Sequence, residues 1–188
     1  MKKIFLLAIL KTAMTLLISF LVVELITTSA SAMTVTYTPL GVPNINSSFK
    51  TWMDYRCITC RTSAQYKLGV KWGWTDSQGF RRVNGERDLG IMDDYYMIAL
   101  GPYYGTTMGT KYRFTTDKGK VFYGILSEAK GYGEYNSTGQ YGMANKDIVE
   151  CLIDENCLNR LVMQMGSANW YEPLSGSITK IERIDFVG

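Results

Sequence analysis

The stretch "ALGPYYGTTMGTKYRFTTDKGKVFYGILSEAKG", residues 99–131, decides how the chain is read. Tyr112 and Phe114 alternate with Lys111, Arg113 and Thr115, the period of two that a half-buried strand shows. Asp117-Lys118-Gly119 is turn chemistry, with a glycine where a positive φ is wanted. The apolar run "KVFYGIL" then pairs back, so Lys111–Leu126 is a hairpin and the chain is mainly β. Its second strand stops on one acidic residue, Glu128, which is either a catalyst or a polar residue where a strand ends.

Working outward, "YYMIAL" at 95–100 is an uncharged apolar run, the pattern of a buried strand. "IVECLI" at 148–153 is another strand, and "GSITKIERIDFV" at 176–187 closes the chain as a third. In the last, Ile178, Ile181 and Ile184 fall three apart rather than two, which signals a bulge. Leu158, Leu161, Val162 and Met165 fall at helical spacing with Gly166 as a stop, so a helix is expected over 154–165 with Asp154 as its N-cap. Residues 132–147 are polar, glycine-rich and aperiodic, a long loop of the kind that often carries function.

Upstream, residues 33–46 have no period and are expected as an extended lead-in. Ser48 followed by Phe49, Trp52 and Met53 permits one or two helical turns. Trp72, Trp74 and Phe80 surround the turn Asp76-Ser77-Gln78-Gly79, which suggests two short strands; packing is the expected use of these aromatics, a sugar-stacking platform the alternative.

The first residues bear on compartment. Lys2 and Lys3 precede two apolar runs interrupted by Lys11, and the segment closes on Ala30-Ser31-Ala32, a signal-peptidase pattern. Residues 1–32 are therefore expected to be an export signal, with no stable membrane insertion once it is cleaved and a secreted or wall-associated product. Removing Lys2, Lys3, Lys11 and Glu24 takes 20 basic against 17 acidic side chains to a net of about +1, which gives no electrostatic case for a nucleic-acid partner. The remainder suits one domain, expected as a monomer, with 33–90 an N-terminal extension packed on a barrel over 91–188.

The chain contains no histidine, which excludes Ser-His-Asp and Cys-His catalysis and the commonest zinc ligand sets. No metal and no cofactor is expected. Acid–base chemistry must come from carboxylates, Tyr, Lys or Cys. The four cysteines, Cys57, Cys60, Cys151 and Cys157, are expected as two disulfides in one of three pairings, or as free thiols. Cys57-Ile58-Thr59-Cys60 also has the spacing of a redox pair or half a zinc site.

Gly109-Thr110-Lys111, Asp117-Lys118-Gly119-Lys120, Ile125-Leu126-Ser127-Glu128 and Val149-Glu150-Cys151-Leu152-Ile153-Asp154, taken in order, resemble the rare-lipoprotein-A-like and expansin-like double-psi β-barrels, as a divergent exported bacterial member. The resemblance covers Tyr95 to about Met165. It implies a six-stranded double-psi β-barrel with one or two short helices, acting on peptidoglycan or another cell-wall glycan. It also implies a lytic transglycosylase chemistry in which one carboxylic acid at the end of the strand after the hairpin, here Glu128, suffices because a sugar hydroxyl is the internal nucleophile. The chain departs from the pattern in carrying glutamate followed by Ala129-Lys130-Gly131, where the family usually has aspartate and an Arg-Gly-Pro turn.

Glycan cleavage needs a protonated acid beside the glycosidic oxygen. The catalytic candidates are Glu128 and, as partner, Asp154. Asp94, Tyr96, Tyr103, Tyr104 and Lys130 are the candidate substrate-binding residues. Three functions follow as expectations: a peptidoglycan-cleaving enzyme, a non-catalytic wall or carbohydrate-binding module, and an exported structural or interaction protein.

Overall fold

A strand buried on both faces organises the molecule. Residues 33–188 are described by a computed structural model; the expected export signal, residues 1–32, lies outside the described residues. Every residue of Tyr95–Leu100 (β5) is buried, as expected of a run without charge. On one side it pairs in parallel with Val121–Ala129 (β7). On the other it is shared: Tyr95 and Tyr96 pair with Arg81–Val83 (β4), and Ile98–Leu100 with Val149–Ile153 (β8), both antiparallel. Trp74–Thr75 (β3) extends β4, and Thr51–Asp54 (β2) runs parallel to β8.

Beyond β7 the sheet continues through Lys111–Thr116 (β6), Ile178–Val187 (β9) and Thr34–Leu40 (β1), all antiparallel. The result is mainly β, one open sheet of nine strands with few helices. The expected count of six falls short. Three of the strands lie before residue 76: β3 is one of the two short strands expected around Asp76, and in β1 Val35 and Tyr37 alternate with Thr34, Thr36 and Thr38, a period of two that marks a strand.

Two expectations for this N-terminal part are corrected. Residues 34–40 are not a lead-in but a seven-residue strand held by β9. Trp52 and Met53 belong to a strand rather than a helical turn, because β8 offers its free edge to them. Between β2 and β3 the chain forms a π-helical segment, Tyr66–Trp72, tied down by Arg81, whose Nη2 donates to Gly69 O (2.7 Å) and Gly73 O (2.6 Å). Phe80 is fully buried as expected, but Trp72 and Trp74 are 63% and 41% exposed, not packed.

The hairpin is as read. Burial along β6 alternates strictly, and Gly119 takes φ 72° in its turn. The irregular isoleucine spacing in β9 has its cause in a register shift: Thr115 pairs with Lys180 but Thr116 with Ile178, so Thr179 is an extra residue. The helix is shorter than expected. Only Arg160–Met165 (α1) is helical, and its N-cap is Asn159, whose Oδ1 accepts from Leu161 N (3.0 Å) and Val162 N (3.2 Å). Asp154 instead accepts from Asn156 N in the turn after β8.

The sheet has an apolar cluster on each face. One holds Ile98, Leu100, Tyr112, Phe114, Phe122, Leu126, Cys151 and Ile181, closed by Leu158, Val162 and Leu174. The other is smaller, built on Tyr95, Met97, Ile125, Leu152 and Ile184 with Met53 and Ile58 against it. All four cysteines are free thiols: Cys151 is buried, the other three exposed. The expectation of two disulfides is therefore corrected; Cys151, inside the first cluster, faces aliphatic and aromatic neighbours. Among the described residues no helix is long and apolar enough to cross a membrane.

Candidate functional site

The second face of the sheet carries a row of polar side chains beside its small apolar cluster. Ala99 of β5 pairs with Glu128 of β7 on one side and Glu150 of β8 on the other, and Glu150 pairs with Thr51 of β2. Residues in register on neighbouring strands point to the same face. Glu128, Ala99, Glu150 and Thr51 thus form one line across four strands, one step beyond Met97, Leu152 and Met53.

Glu128 reaches this face because of a single extra residue. Ile98 pairs with Leu126 but Ala99 with Glu128, so Ser127 is bulged out of the ladder. A period of two would put Glu128 on the side of Leu126, in the larger apolar cluster; the bulge turns it to the opposite face. Ser127 is fully buried, and its hydroxyl donates to Ile125 O (3.1 Å).

Lys130, just past the end of β7, joins the two carboxylates. Its Nζ lies 2.6 Å from Glu150 Oε2 and 3.5 Å from Glu128 Oε1. Those two oxygens are therefore at most about 6 Å apart, closer than the roughly 6.5–9.5 Å at which two carboxyl groups leave room for an attacking water. Burial, outweighing the attraction of Lys130, pushes the Glu150 carboxyl above the usual glutamate range. Burial also pulls on the Lys130 ammonium, but its close contact with Glu150 and the charges of Glu150 and Glu128 outweigh it and hold Lys130 above the ordinary lysine value. Glu128 Oε2 and Glu150 Oε2 are both buried without a hydrogen bond among the described residues, so Lys130 meets Glu150 Oε2 as an ion pair.

Two clefts open beside this row. One, of about 270 Å³, is lined by Glu128 with Met53, Cys57, Cys60, Ser63 and Gln65. The other, of about 300 Å³, is lined by Lys130 and Glu150 with Thr51, Glu134, Tyr135 and Asp147. Thr51 donates its hydroxyl to Asp147 Oδ2 (2.7 Å). Burial raises the Tyr135 phenol, which lies near Asp147 and Glu150, above the usual tyrosine range.

Of the residues singled out in the sequence, Glu128 and Lys130 come together at this row, while Asp94 with Tyr96 and Tyr103 with Tyr104 meet elsewhere. Asp154, the expected partner, lies four residues along the chain from Glu150, roughly 13 Å in an extended strand, and pairs with Arg56 Nη2 at 3.3 Å. Asp94 and Tyr96 line a separate cleft of about 230 Å³ with Arg82 and Phe122. There Asp94 Oδ1 accepts from Arg87 Nη2 (2.8 Å) and Gly85 N (3.1 Å), and the Arg82 guanidinium lies 3.6 Å from the centre of the Tyr96 ring. Tyr104 is buried and donates to Gly41 O (3.2 Å), which leaves no ring face for a sugar; Tyr103, edge-on to it, is exposed.

Glu150 is the residue that sequence reasoning missed. Its signal was available: it is the one charged residue within the apolar run "IVECLI". Among the described residues no group of three or more Cys, Asp or Glu side chains is disposed to hold a metal ion. No family model matches the chain, and neither a curated protein nor a solved structure matches it.

Proposed function

We propose that the chain is an exported protein that acts on a cell-wall glycan, cleaving it at the Glu128–Lys130–Glu150 row. The observation that carries this reading is the pair of carboxyl groups bridged by Lys130, Glu128 lining one cleft and Glu150 with Lys130 another. Glu150, which burial inclines to keep its proton, is the acid that protonates the glycosidic oxygen. Glu128 is the carboxylate that stabilises positive charge developing on the sugar ring, and Lys130 holds the two in register. Their short separation leaves little room for an interposed water and suits a nucleophile already on the enzyme or on the sugar. A sugar hydroxyl as internal nucleophile agrees with the transglycosylase chemistry that the resemblance implies.

The test is digestion of purified peptidoglycan by the protein and by Glu128→Gln and Glu150→Gln, with soluble products read by mass spectrometry. Anhydro-muropeptides released by the unaltered chain, and reduced about 10²-fold or more by either substitution, are the expected result. Release that survives both substitutions, or no release by the unaltered chain, overturns the catalytic reading.

One observation favours a second reading, a non-catalytic glycan-binding module: Trp72 and Trp74, two residues apart, are both exposed. That reading expects the chain to sediment with insoluble peptidoglycan, and Trp72→Ala with Trp74→Ala to abolish the sedimentation while Glu128→Gln leaves it intact.

A further inference from the structure

Cys57 and Cys60 border the cleft of about 270 Å³ from an exposed loop. Between Tyr55 and Gln65 no residue is buried, and Tyr55 and Ile58 are the side chains that pack the loop against the smaller apolar cluster of Tyr95, Met97 and Leu152. Cys57 ends a 3-10 turn, Tyr55–Cys57, capped by Asp54, whose Oδ1 accepts from Arg56 N (2.8 Å). Cys60 opens the next turn, its carbonyl accepting from Ser63 N (3.0 Å) and Ser63 Oγ (2.7 Å). Each thiol thus sits at the edge of a turn, with Ile58, packed on the smaller apolar cluster, and exposed Thr59 linking the two. Three peptide links reach at most roughly 10 Å, and a disulfide needs Cα atoms about 4.4–6.8 Å apart, so closure is a bend of this link and not a rearrangement of the sheet.

The other two cysteines differ. Cys151 is enclosed in the larger apolar cluster, and burial pushes its thiol up to about 12. Cys157 is exposed, but burial of the sulfur and the neighbouring Asp154 and Asp76 carboxylates raise it above the ordinary thiol value. Cys60 goes the other way. The Thr62 hydroxyl, 3.5 Å from its sulfur, and the amides of Thr62 and Ser63 draw it down. Arg61 follows it directly in the chain.

We propose that Cys57 and Cys60 form a thiol–disulfide exchange site at the mouth of the Glu128 cleft, whose substrate is a protein or small-molecule disulfide. Cys60 thiolate attacks one sulfur of the substrate's S–S bond; a mixed disulfide forms and the other sulfur leaves as a thiolate. Cys57, as thiolate, then attacks Cys60 Sγ; the Cys57–Cys60 bond forms, the mixed disulfide breaks, and the second substrate sulfur leaves. Two thiols of the protein lose two electrons and two protons, and the substrate disulfide gains both. The proposal is independent of the glycan reading, since neither thiol takes part in that chemistry.

The test uses the full chain, reduced and then equilibrated with mixtures of reduced and oxidised glutathione, followed by alkylation and peptide mapping. The expected product is an intramolecular Cys57–Cys60 disulfide, with Cys151 and Cys157 still alkylated as thiols. In Cys57→Ser, glutathione is expected to remain trapped on Cys60, and Cys60 to react about tenfold faster than Cys157 at neutral pH. Absence of the intramolecular disulfide at every glutathione ratio, or a Cys60 no faster than Cys157, overturns the proposal.

Discussion

Lys130 holds its ammonium 2.6 Å from Glu150 Oε2 across the end of β5, and both groups are largely withdrawn from water. Removing the cation alone leaves Glu150 in the same partly buried place without its partner. Lys130→Met is therefore expected to lower stability by about 2–3 kcal/mol at neutral pH. The loss should shrink in acid. Glu150 has a folded pKa above its ordinary value of 4.5, so the folded state binds the extra proton and stability falls as pH rises from 4.5 through the raised value. Without Lys130 that fall is steeper. Urea denaturation of both proteins between pH 4 and 8 checks it; a difference independent of pH contradicts the coupling.

Lys50 supplies a second, opposite pH dependence. It is fully buried, donates to Gly176 O (2.8 Å) and Ser48 O (3.2 Å), and burial brings its amine down from 10.5 to about 8. Between those values the unfolded chain binds the proton and the folded one does not, so this group makes stability rise with pH, by about 3 kcal/mol over the whole window. Lys50→Met is expected to abolish that rise, while leaving two carbonyls unpartnered. Paired thermal melts at pH 7.5 and 9.5 decide it: a parallel shift of both proteins means that the amine does not titrate there.

Gly101 tests how the loop over 131–147 is held. A Cβ at this position would lie 2.1 Å from Gly139 O and 2.5 Å from the Tyr135 ring. Its φ of −65° is ordinary for any residue, so the demand for glycine here is one of space. Gly101→Ala is expected to cost about 1–3 kcal/mol and to loosen the loop rather than the sheet. Hydrogen exchange should show faster exchange at Tyr103 N, which donates to Gly139 O (3.2 Å), with β6 and β7 unchanged.

Tyr112 donates its hydroxyl to Tyr104 O (2.6 Å) inside the larger cluster. Tyr112→Phe keeps the ring and strands a buried carbonyl, at an expected cost of about 1–2 kcal/mol in chemical denaturation. A neutral result would mean that the carbonyl finds another donor.

What the sequence discloses depends on whether a pattern is local. The alternation in Lys111–Thr116, the turn at Gly119 and the uncharged run of β5 are written in adjacent residues, and they read correctly. β1 and β2 owe their conformation to strands more than ninety residues away, β9 and β8. Val35 and Tyr37, alternating with Thr34, Thr36 and Thr38, mark β1 as a strand but not its partner, and nothing within Thr51–Asp54 marks β2. The helix was overextended because Leu158 fits its period, although Asn159 is the residue that caps it. For the site, Glu128 and Lys130 were legible as polar residues after an apolar strand. Their true partner was not, because Glu150 meets them only through the register of both strands on Ala99.

Ser127 gives that register a genetic meaning. Because one surplus residue in β7 decides on which side of the sheet the Glu128 carboxyl emerges, loss or gain of a single codon there would exchange a polar cleft for a charge thrust into an apolar interior. Such a strand can gain or forfeit its acid with no change in the other residues that line the cleft, so descendants of a common ancestor can differ in activity while the rest of the lining stays the same.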